Sequence, residues 1–555
     1  MTAPTTDVPR RVEVQLDTGL KRDVGKLSLL FTGVGAIIGS GWLFGALYAS
    51  QIAGPASVFS WVLGGVIVMC IGLVYAELGT MFPVAGGIIR FPNYAFGSFA
   101  SYSSGWISWL AAAAVTPVEV LATTQYADPY LPWLMRQEGD VFLLTGPGTV
   151  VAVALMFLYS LVNIMGVKLF AQFNNVLVWW KLAVIAVLIG TLFMLEFNPG
   201  NFTEHGFAPQ GWGAVFTAIP AAGVAFAYLG FRNAVEYAGE TENPQRNVPF
   251  AVVGAVLITA VIYVLLQFAF ITGLPEEVLA DGWSQLEFSE SAGPLAGLAL
   301  VLGAGWLAWL LRVDAVISPA DTGLIYAGVT ARLSYANARN GNAPQSLTKL
   351  NSRGIPWVSV VLMFGVGCIF FLPFPSWQLF IGFITSAFAI SFGAGPVAVG
   401  ALRRQLPDQD RPFSLPGGDL LPLAAFWGST LLVFWSGWDI NEKMLYALLL
   451  GYVVYAIYHF TTKDQLPPLR FLAGLWFPVW VIGSMVISYF GPIAGDGNLV
   501  IDGGHGPLNL GWGAFVCLVF SVAVYYLAVW LRLSPQEAAA NIRSTPTDEP
   551  AGMAH

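Results

Sequence analysis

Three observations predict that this chain is a polytopic α-helical integral membrane protein. Of its 555 residues, 56% are hydrophobic and only 10% are charged, whereas an average soluble domain has roughly 25% charged residues. Apolar runs of about 20 residues, the length that a helix needs to cross a bilayer, recur with little polar sequence between them. They lack the strict alternation of barrel strands, which are roughly 10 residues long. Since hydrocarbon tolerates only helices or closed barrels, the spans are predicted to be helices.

Apolar windows bounded by glycine, proline and charge predict fourteen transmembrane helices. They lie at 28–48, 56–80, 100–126, 148–166, 173–196, 212–237, 249–273, 294–330, 356–373, 377–402, 419–438, 443–461, 471–491 and 510–532. The 294–330 segment is long enough to be an overlong helix or one with a bent end.

The distribution of basic residues predicts that both termini are cytoplasmic. In that orientation the outside loops hold only Arg136 and Lys443 of the 24 basic residues, in agreement with the positive-inside rule. The polar segment 1–27 has no apolar core, so we expect a cytoplasmic tail and no cleavable signal peptide. The tail at 533–555, rich in proline, threonine and acidic residues, is predicted to be disordered.

Cysteine and histidine are too sparse for a disulfide framework, a metal site or intramembrane catalysis. The three cysteines lie in separate apolar runs, and the four histidines fall in loops, at a helix end or in the tail. An intramembrane enzyme would need a nucleophile with a base, or metal ligands, within the spans. We therefore expect neither an enzyme nor a metal or other cofactor.

Two of the spans are unusually rich in small residues. Span one reads GVGAIIGSGW over 33–42, and span six reads PAAGVAFAYLG over 220–230. Small residues also serve close helix packing in membranes, which is the alternative interpretation. However, interrupted helices at corresponding positions of two five-helix halves indicate a midplane binding site of a transporter. The sequence therefore predicts helix breaks at Gly39–Gly41 and Ala227–Gly230.

Four motifs resemble the amino acid–polyamine–organocation superfamily. They are 35–45 in span one, YAEL at 75–78 followed by FPVAGG at 82–87, the stretch 226–249 with ENPQRNVP at its end, and 314–341 ending in YANARNG. The resemblance implies a core of ten helices, 28–402, in two inverted repeats at 28–196 and 212–402. The segment 403–532 would then hold four additional transmembrane helices, which the resemblance covers only by hydropathy.

That resemblance also implies where a substrate would bind. The N–H groups of Ser40 and Gly41 would donate to a substrate carboxylate, and the carbonyl of Ile37 would accept from its ammonium group. On span six, Phe226 and Leu229 would offer carbonyls, and Phe226 or Tyr228 would be an aromatic gate. The flanking positions of the two breaks complete the predicted site: Gly39, Ala227 and Gly230.

Lys181 lies within span five, where an ammonium group costs at least ~2.5 kcal/mol. It lies near enough to one end of the span to snorkel, which is the simpler interpretation. It also resembles the fifth-helix lysine of proton-coupled members of the superfamily, whose ammonium group takes the place of a sodium ion. We therefore predict proton coupling through Lys181, with the proton gradient as driving force.

Three further intramembrane charges are candidates for side-chain selectivity: Glu119 in TPVE at 116–119, Arg232 and Arg312. Because charges in membranes usually pair, a structural Glu119–Arg312 bridge is one interpretation. Glu119 is also a possible proton carrier, and an unpaired arginine would bind an anionic substrate side chain. The motifs around Glu119 and Arg232 resemble those of bacterial aspartate–proton symporters.

These features predict a multi-pass cell-membrane permease whose partners are an amino acid substrate and the lipid bilayer, and not nucleic acid. Proton-coupled symport of an acidic amino acid, aspartate above all, is favoured. Permeases or exchangers for neutral or cationic amino acids or for polyamines are alternatives, and a channel is a remote one. The sequence leaves the oligomeric state open.

Overall fold

The computed structural model describes residues 11–12, 22–138, 141–165, 167–288, 293–462, 468–492 and 504–544. Its α-helices, numbered here in chain order, are α1 Lys26–Ile37, α2 Gly41–Ala53, α3 Ser57–Met81, α4 Gly87–Phe96, α5 Ser98–Ala127, α6 Gly146–Met165, α7 Val167–Leu195, α8 Gly213–Ala221, α9 Arg232–Glu236, α10 Pro244–Thr272, α11 Pro294–Val301, α12 Gly305–Arg339, α13 Trp357–Phe370, α14 Trp377–Gln405, α15 Leu420–Trp435, α16 Trp438–Thr461, α17 Phe471–Gly474, α18 Trp476–Tyr489, α19 Leu510–Leu531 and α20 Pro535–Ser544.

Helices lie in all fourteen segments that the sequence predicts to be spans. Within the described residues, nine helical runs are long and apolar enough to cross a membrane, and the bent pair α8 and α9 would make a tenth. Helices α1, α13 and α15 are apolar but shorter. The multi-pass helical class is therefore confirmed, while the count of fourteen and the inverted repeats stay predictions.

The first predicted span is broken. Helix α1 ends at Ile37, and α2 begins at Gly41 after three residues that are not helical. The backbone of Ile38 leaves the helical region, with φ −83° and ψ 77°. The break therefore lies one residue before the predicted Gly39–Gly41, within the same glycine-rich run.

The break in span six begins earlier than predicted. Helix α8 ends at Ala221, and Gly223 adopts φ +76°, a conformation that side chains with a Cβ rarely adopt. A 3-10 helix follows at Phe226–Phe231 and leads into α9, and the two parts of the span meet at 55°. The predicted Ala227–Gly230 thus lies in the 3-10 turn, because the left-handed Gly223 had already ended the α-helix.

The 294–330 segment is a short helix followed by a long one. Helix α11 ends at Val301, Gly303 takes φ +72°, and α12 then continues for 35 residues to Arg339. This confirms the bent-end interpretation. One short strand pair also departs from the all-helical prediction: Met135–Glu138 pairs antiparallel with Val141–Leu144 in the α5–α6 connection.

Helices α5 and α14 form the centre of the helix bundle. The most apolar stretch of α5 is 94% buried and that of α14 is 100% buried, against 22% for α16 at the periphery. Helix α12 packs along α5, and α10 packs on α3 and α1. Helix α15 contacts α14 and α3, so the helices after α14 join the same body.

The C-terminal tail is not disordered over its first part. Ser534 precedes α20 as a capping box, in which its N–H donates to Glu537 Oε2 at 3.0 Å and the Glu537 N–H donates to Ser534 Oγ at 3.3 Å. Pro535 follows at the first helical position, where proline is favoured. Arg470 holds the helix through an ion pair with Glu537 at 3.0 Å. The prediction missed this local capping signal because α20 is not apolar.

Candidate functional site

The two broken helices meet at the middle of the bundle. A Cβ atom at Gly230 would overlap the backbone of Ala36 and Ile37 at the end of α1. A Cβ at Gly41 would lie 3.0 Å from the Cβ of Ala227. Both glycines therefore permit a backbone approach that other residues would prevent. The structure brings together the residues that the sequence predicts for the two breaks.

Lys181 is completely buried and its ammonium group caps the end of α1. Its Nζ donates to the carbonyls of Gly35 at 2.9 Å and Ile38 at 2.8 Å. It also lies 3.3 Å from Thr322 Oγ1 and forms an ion pair of 2.7 Å with Asp321 Oδ2. Because its side chain is 0% exposed, Lys181 does not snorkel to the surface, and that interpretation is wrong.

Asp321 and Thr322 are site residues that the sequence analysis missed. Asp321 is completely buried on α12 and pairs with Lys181, while Thr322 Oγ1 donates to the Gly35 carbonyl at 2.9 Å. The signal was available: a lysine in mid-span requires an anionic partner, and Asp321 is an acidic residue in a predicted span. Nothing in the spacing linked two residues 140 positions apart.

Glu119 reaches the start of α2 from α5. Its Oε2 accepts the N–H of Ser40 at 2.8 Å. A Cβ atom at Gly39 would lie only 3.0 Å from the Cδ of Glu119, so the carboxylate packs directly against this glycine. The Ser40 N–H, predicted to be free for a substrate carboxylate, is therefore occupied by a carboxylate of the protein. Gly41 begins α2, so its N–H has no acceptor within its own helix.

Arg312 is not at this site, and the predicted Glu119–Arg312 bridge is wrong. Arg312 Nη1 donates to Tyr130 Oη at 3.0 Å, and its guanidinium lies over the ring of Tyr130. Glu119 packs beside Gly323, eleven residues further along α12. At 1.5 Å per residue, that is about 16 Å along the helix axis. Arg312 was expected in mid-span because 294–330, which holds both α11 and the first part of α12, was counted as one span.

Arg232 directly follows the 3-10 segment Phe226–Phe231, as the first residue of α9, and is completely buried. Its Nη2 forms an ion pair of 3.3 Å with Glu236, and its guanidinium lies over the rings of Phe388 and Phe392. Its Nε and Nη1 have no hydrogen-bond partner among the described residues. Arg232 thus retains donors that can bind an anion.

The other predicted residues on the two breaks differ in their contacts. The Ile37 carbonyl accepts from Tyr263 Oη at 3.2 Å. Phe226 is 8% exposed and lies beside Gly41, whereas Leu229 is 2% exposed. Tyr228 donates to the Trp61 carbonyl at 3.1 Å and packs on α3. Phe226 is accordingly the better placed of the two aromatic residues for a gate.

An aromatic cluster covers the α2 side of the break. Trp377 Nε1 donates to Ser40 Oγ at 2.8 Å, and its ring stacks on Phe44 with centroids 4.6 Å apart. Tyr126 packs edge-on against Phe44 and donates to the Leu43 carbonyl. Trp377, in the first turn of α14, was not among the predicted site residues. This cluster closes the site on that side.

Ion pairs lie on the α1 side of the break. Arg403 on α14 binds both carboxylate oxygens of Glu77, at 2.8 Å and 2.6 Å. Arg332 on α12 lies 3.6 Å from Glu240 and donates to Tyr237. Glu77 lies in the YAEL motif and Glu240 in the 226–249 motif. Through these ion pairs, the two motifs are tied to α14 and α12 on the α1 side of the break. Over the described ranges, no group of three or more histidine, cysteine or acidic side chains is arranged to hold a metal ion.

Comparison with known proteins decides the family. A family model described as amino acid permease matches residues 24–457. The chain belongs to the amino acid permease family, within the amino acid–polyamine–organocation superfamily. The match covers α1 to most of α16. The permease function class that the four motifs indicated is confirmed.

Several Bacillus subtilis permeases are similar to this one over nearly their whole length. The glutamate/serine transporter AimA is 36% identical over 516 residues, which are 92% of this chain and 94% of AimA. An aspartate-proton symporter is 35% identical over 521 residues, 92% of this chain and 97% of the symporter. The branched-chain amino acid permease BcaP is 27% identical, over 80% of this chain and 94% of BcaP.

Proposed function

We propose that this permease takes up an acidic amino acid, aspartate or glutamate, together with a proton across the cell membrane. The observation that carries proton coupling is the position of Lys181. Its ammonium group lies among the carbonyls of Gly35 and Ile38, the Thr322 hydroxyl and the Asp321 carboxylate. These hard oxygen ligands suit a small cation, and the ammonium group fills their centre. A sodium ion has no place there while Lys181 is charged and present.

The acidic substrate is supported by Arg232 and by two relatives. Burying a second substrate carboxylate is costly unless a cation meets it. Arg232 directly follows the 3-10 segment of span six, and its Nε and Nη1 have no hydrogen-bond partner among the described residues. The names of the two relatives at 36% and 35% identity include glutamate in one case and aspartate in the other. We propose Arg232 as the residue that binds the substrate side chain.

The substrate backbone is proposed to bind across the two breaks. Its α-carboxylate would take the N–H groups of Ser40 and Gly41, at the positive end of α2. Its ammonium group would bind carbonyls at Ile37, Phe226 and Leu229. The Phe226 ring would then cover the substrate, with Gly39, Ala227 and Gly230 providing room for it. The termini are proposed to be cytoplasmic, so the Trp377 cluster closes the outer side.

Uptake into proteoliposomes tests this function. Radiolabelled aspartate should accumulate against its gradient under an inward proton gradient in sodium-free buffer, and a protonophore should abolish the accumulation. Unlabelled glutamate should compete with the labelled aspartate for uptake. Serine is tested as a second competitor because it appears in the name of AimA. Counterflow by preloaded aspartate separates a carrier from a channel. A sodium requirement would contradict the proposal. So would uptake that leucine and arginine inhibit and that aspartate does not.

A further inference from the structure

Glu119 is a buried site carboxylate with no ion-pair partner among the described residues and with one oxygen that accepts no hydrogen bond. Asp321 Oδ1 also lacks a hydrogen-bond partner there, but the Asp321 carboxylate is paired with Lys181. Glu119 is 0% exposed, and Oε2 accepts the Ser40 N–H at 2.8 Å. Its Oε1 has no hydrogen-bond partner among the described residues, although it lies against Gly39 in the break. A buried carboxylate oxygen without a partner is costly, and a proton on Oε1 would remove most of that cost.

The ionisable groups around Glu119 lie on four other helices, α6, α7, α10 and α12. Lys181 on α7 attracts it, and Asp321 on α12 neutralises Lys181 in turn. The phenols nearby are those of Tyr159 on α6, Tyr263 on α10 and Tyr326 on α12. Helix α14 brings no ionisable side chain between 377 and 402. Because Lys181 and Asp321 already form a pair, an ionised Glu119 leaves a net negative charge at the break.

The Ser40 N–H is the group for which Glu119 and a substrate compete. It lies at the start of α2, a helix of 13 residues whose first N–H groups have no acceptor within the helix. A hydrogen bond from this N–H is stronger to an ionised carboxylate than to a neutral carboxyl group. An ionised Glu119 therefore holds the N–H, and a protonated one gives it up more readily.

We propose that Glu119 is the proton acceptor that controls access of the substrate α-carboxylate to the Ser40 N–H. This inference rests on the proposed function. A proton from the outer solution binds Oε1 of Glu119, which becomes neutral and releases the N–H to the substrate carboxylate. When the substrate leaves on the inner side, Glu119 loses that proton there and takes the N–H again. One proton thus enters with each substrate molecule.

The charge of the substrate also requires that Glu119 is protonated before the substrate binds. An acidic amino acid carries a net charge of −1, so an ionised Glu119 together with the substrate would bring two negative charges to the break. A neutral Glu119 leaves only the substrate charge, for which Arg232 is the proposed partner. Lys181 keeps its ammonium group throughout and holds the end of α1 together with Asp321.

Aspartate binding to the purified, full-length permease in detergent tests the inference. In the parent protein, each unit fall in pH should lower the dissociation constant about tenfold wherever free Glu119 is ionised, because one proton is linked to binding. In weakly buffered solution, the protein should take up about one proton for each aspartate that it binds. Glu119→Gln, neutral at every pH, should bind aspartate with no pH dependence, take up no proton, and retain counterflow while losing proton-driven accumulation.

The matched control is Asp314→Asn. Asp314 on α12 is also a buried carboxylate, but both of its oxygens accept hydrogen bonds: Oδ1 from Trp180 Nε1 at 2.9 Å, and each oxygen from Ser318 Oγ at 2.8 Å. This variant should keep the pH dependence of the parent. A Glu119→Gln protein that keeps that pH dependence, or that is folded yet binds no aspartate at any pH, would overturn the inference. In the first case the proposed function stands, since accumulation still follows the proton gradient.

A second measurement covers a Glu119→Gln variant that does not fold. Dicyclohexylcarbodiimide modifies protonated carboxyl groups in apolar surroundings, and mass spectrometry locates the adduct. In the parent protein, modification of Glu119 should rise as the pH falls, over the range in which aspartate affinity rises. An unmodified Glu119 throughout that range would overturn the inference. A parent protein without proton-driven aspartate uptake would instead contradict the proposed function.

Discussion

Lys181 Nζ and Asp321 Oδ2 lie 2.7 Å apart, and both side chains are 0% exposed. The pair joins α7 to α12, and its ammonium group also holds the carbonyls of Gly35 and Ile38 where α1 ends. The broken helix therefore depends on a buried charge from a different helix. The lasting charge of this pair thus fixes the shape of the break.

We predict that the two members of this pair must be replaced together for the protein to remain stable. Lys181→Met or Asp321→Asn alone should destabilise the permease by about 3–5 kcal/mol, because each leaves a buried charge unpaired. The double variant should recover most of that loss but should not accumulate aspartate under a proton gradient. Thermal unfolding in detergent and proteoliposome uptake measure the two effects.

The exposed pair Arg136–Glu138 is a suitable control for this experiment. Its side chains are 61% and 56% exposed, so Arg136→Met should change stability by less than about 1 kcal/mol. A stable Lys181→Met protein with proton-driven uptake equal to the parent would refute the role of the pair.

The two intramembrane arginines should differ in their effect on substrate choice. Arg232→Lys keeps a positive charge beside Glu236 but loses the planar fork that binds a carboxylate with two donors. We expect its aspartate affinity to fall at least about tenfold, the loss of about 1.4 kcal/mol. Arg312→Gln should leave aspartate uptake unchanged, because Arg312 is held by Tyr130 outside the site. Concentration dependence of uptake measures both; equal losses in the two variants would contradict the assignment.

Gly230 should not tolerate even one added methyl group. In Gly230→Ala the new Cβ would overlap the backbone of Ala36 and Ile37, which cannot rotate away as a side chain can. We expect destabilisation of about 1–3 kcal/mol and loss of transport. Gly190→Ala on α7, where a Cβ would meet nothing within 4 Å, is the control and should be neutral or slightly stabilising. Normal uptake by Gly230→Ala would show that the helices do not meet so closely.

The C-terminal helix α20 should depend on its capping box and on pH. Hydrogen bonds from Ser534 hold the pKa of Glu537 below its ordinary value of 4.5. A group whose pKa is lowered on folding stabilises the fold above that ordinary value and loses the effect as the pH falls through the lowered pKa. Ser534→Ala should cost about 1 kcal/mol of helix stability.

Hydrogen–deuterium exchange of the 535–544 amides measures this effect. At neutral pH, Glu537→Gln and Ser534→Ala should both exchange faster than the parent. Below the lowered pKa, the parent should become similar to Glu537→Gln once intrinsic exchange rates are taken into account. Equal protection of parent and variants at neutral pH would rule out the capping box as the cause.

Local sequence determined the class, the break in span one and the candidate charges of this permease. Long apolar runs require helices because hydrocarbon cannot hydrogen-bond the backbone. The glycines of 33–42 predicted the break in span one to within one residue, because the low helix propensity is a property of those residues themselves. Lys181 was identified because an ammonium group in mid-span is costly wherever the chain folds. Each of these features is carried by residues within one stretch of the chain.

Only the tertiary structure decided which charges meet. Asp321, and not a residue near it in sequence, is the partner of Lys181, and Glu119 takes the Ser40 N–H from 79 positions away. Arg312 is removed from the site because α12 begins only at Gly305 and places it about 16 Å along the axis from Glu119. Pairing of charges across a bundle depends on how deep each helix sits and which face it turns inward. Those are properties of packing between helices, and no spacing within one helix encodes them.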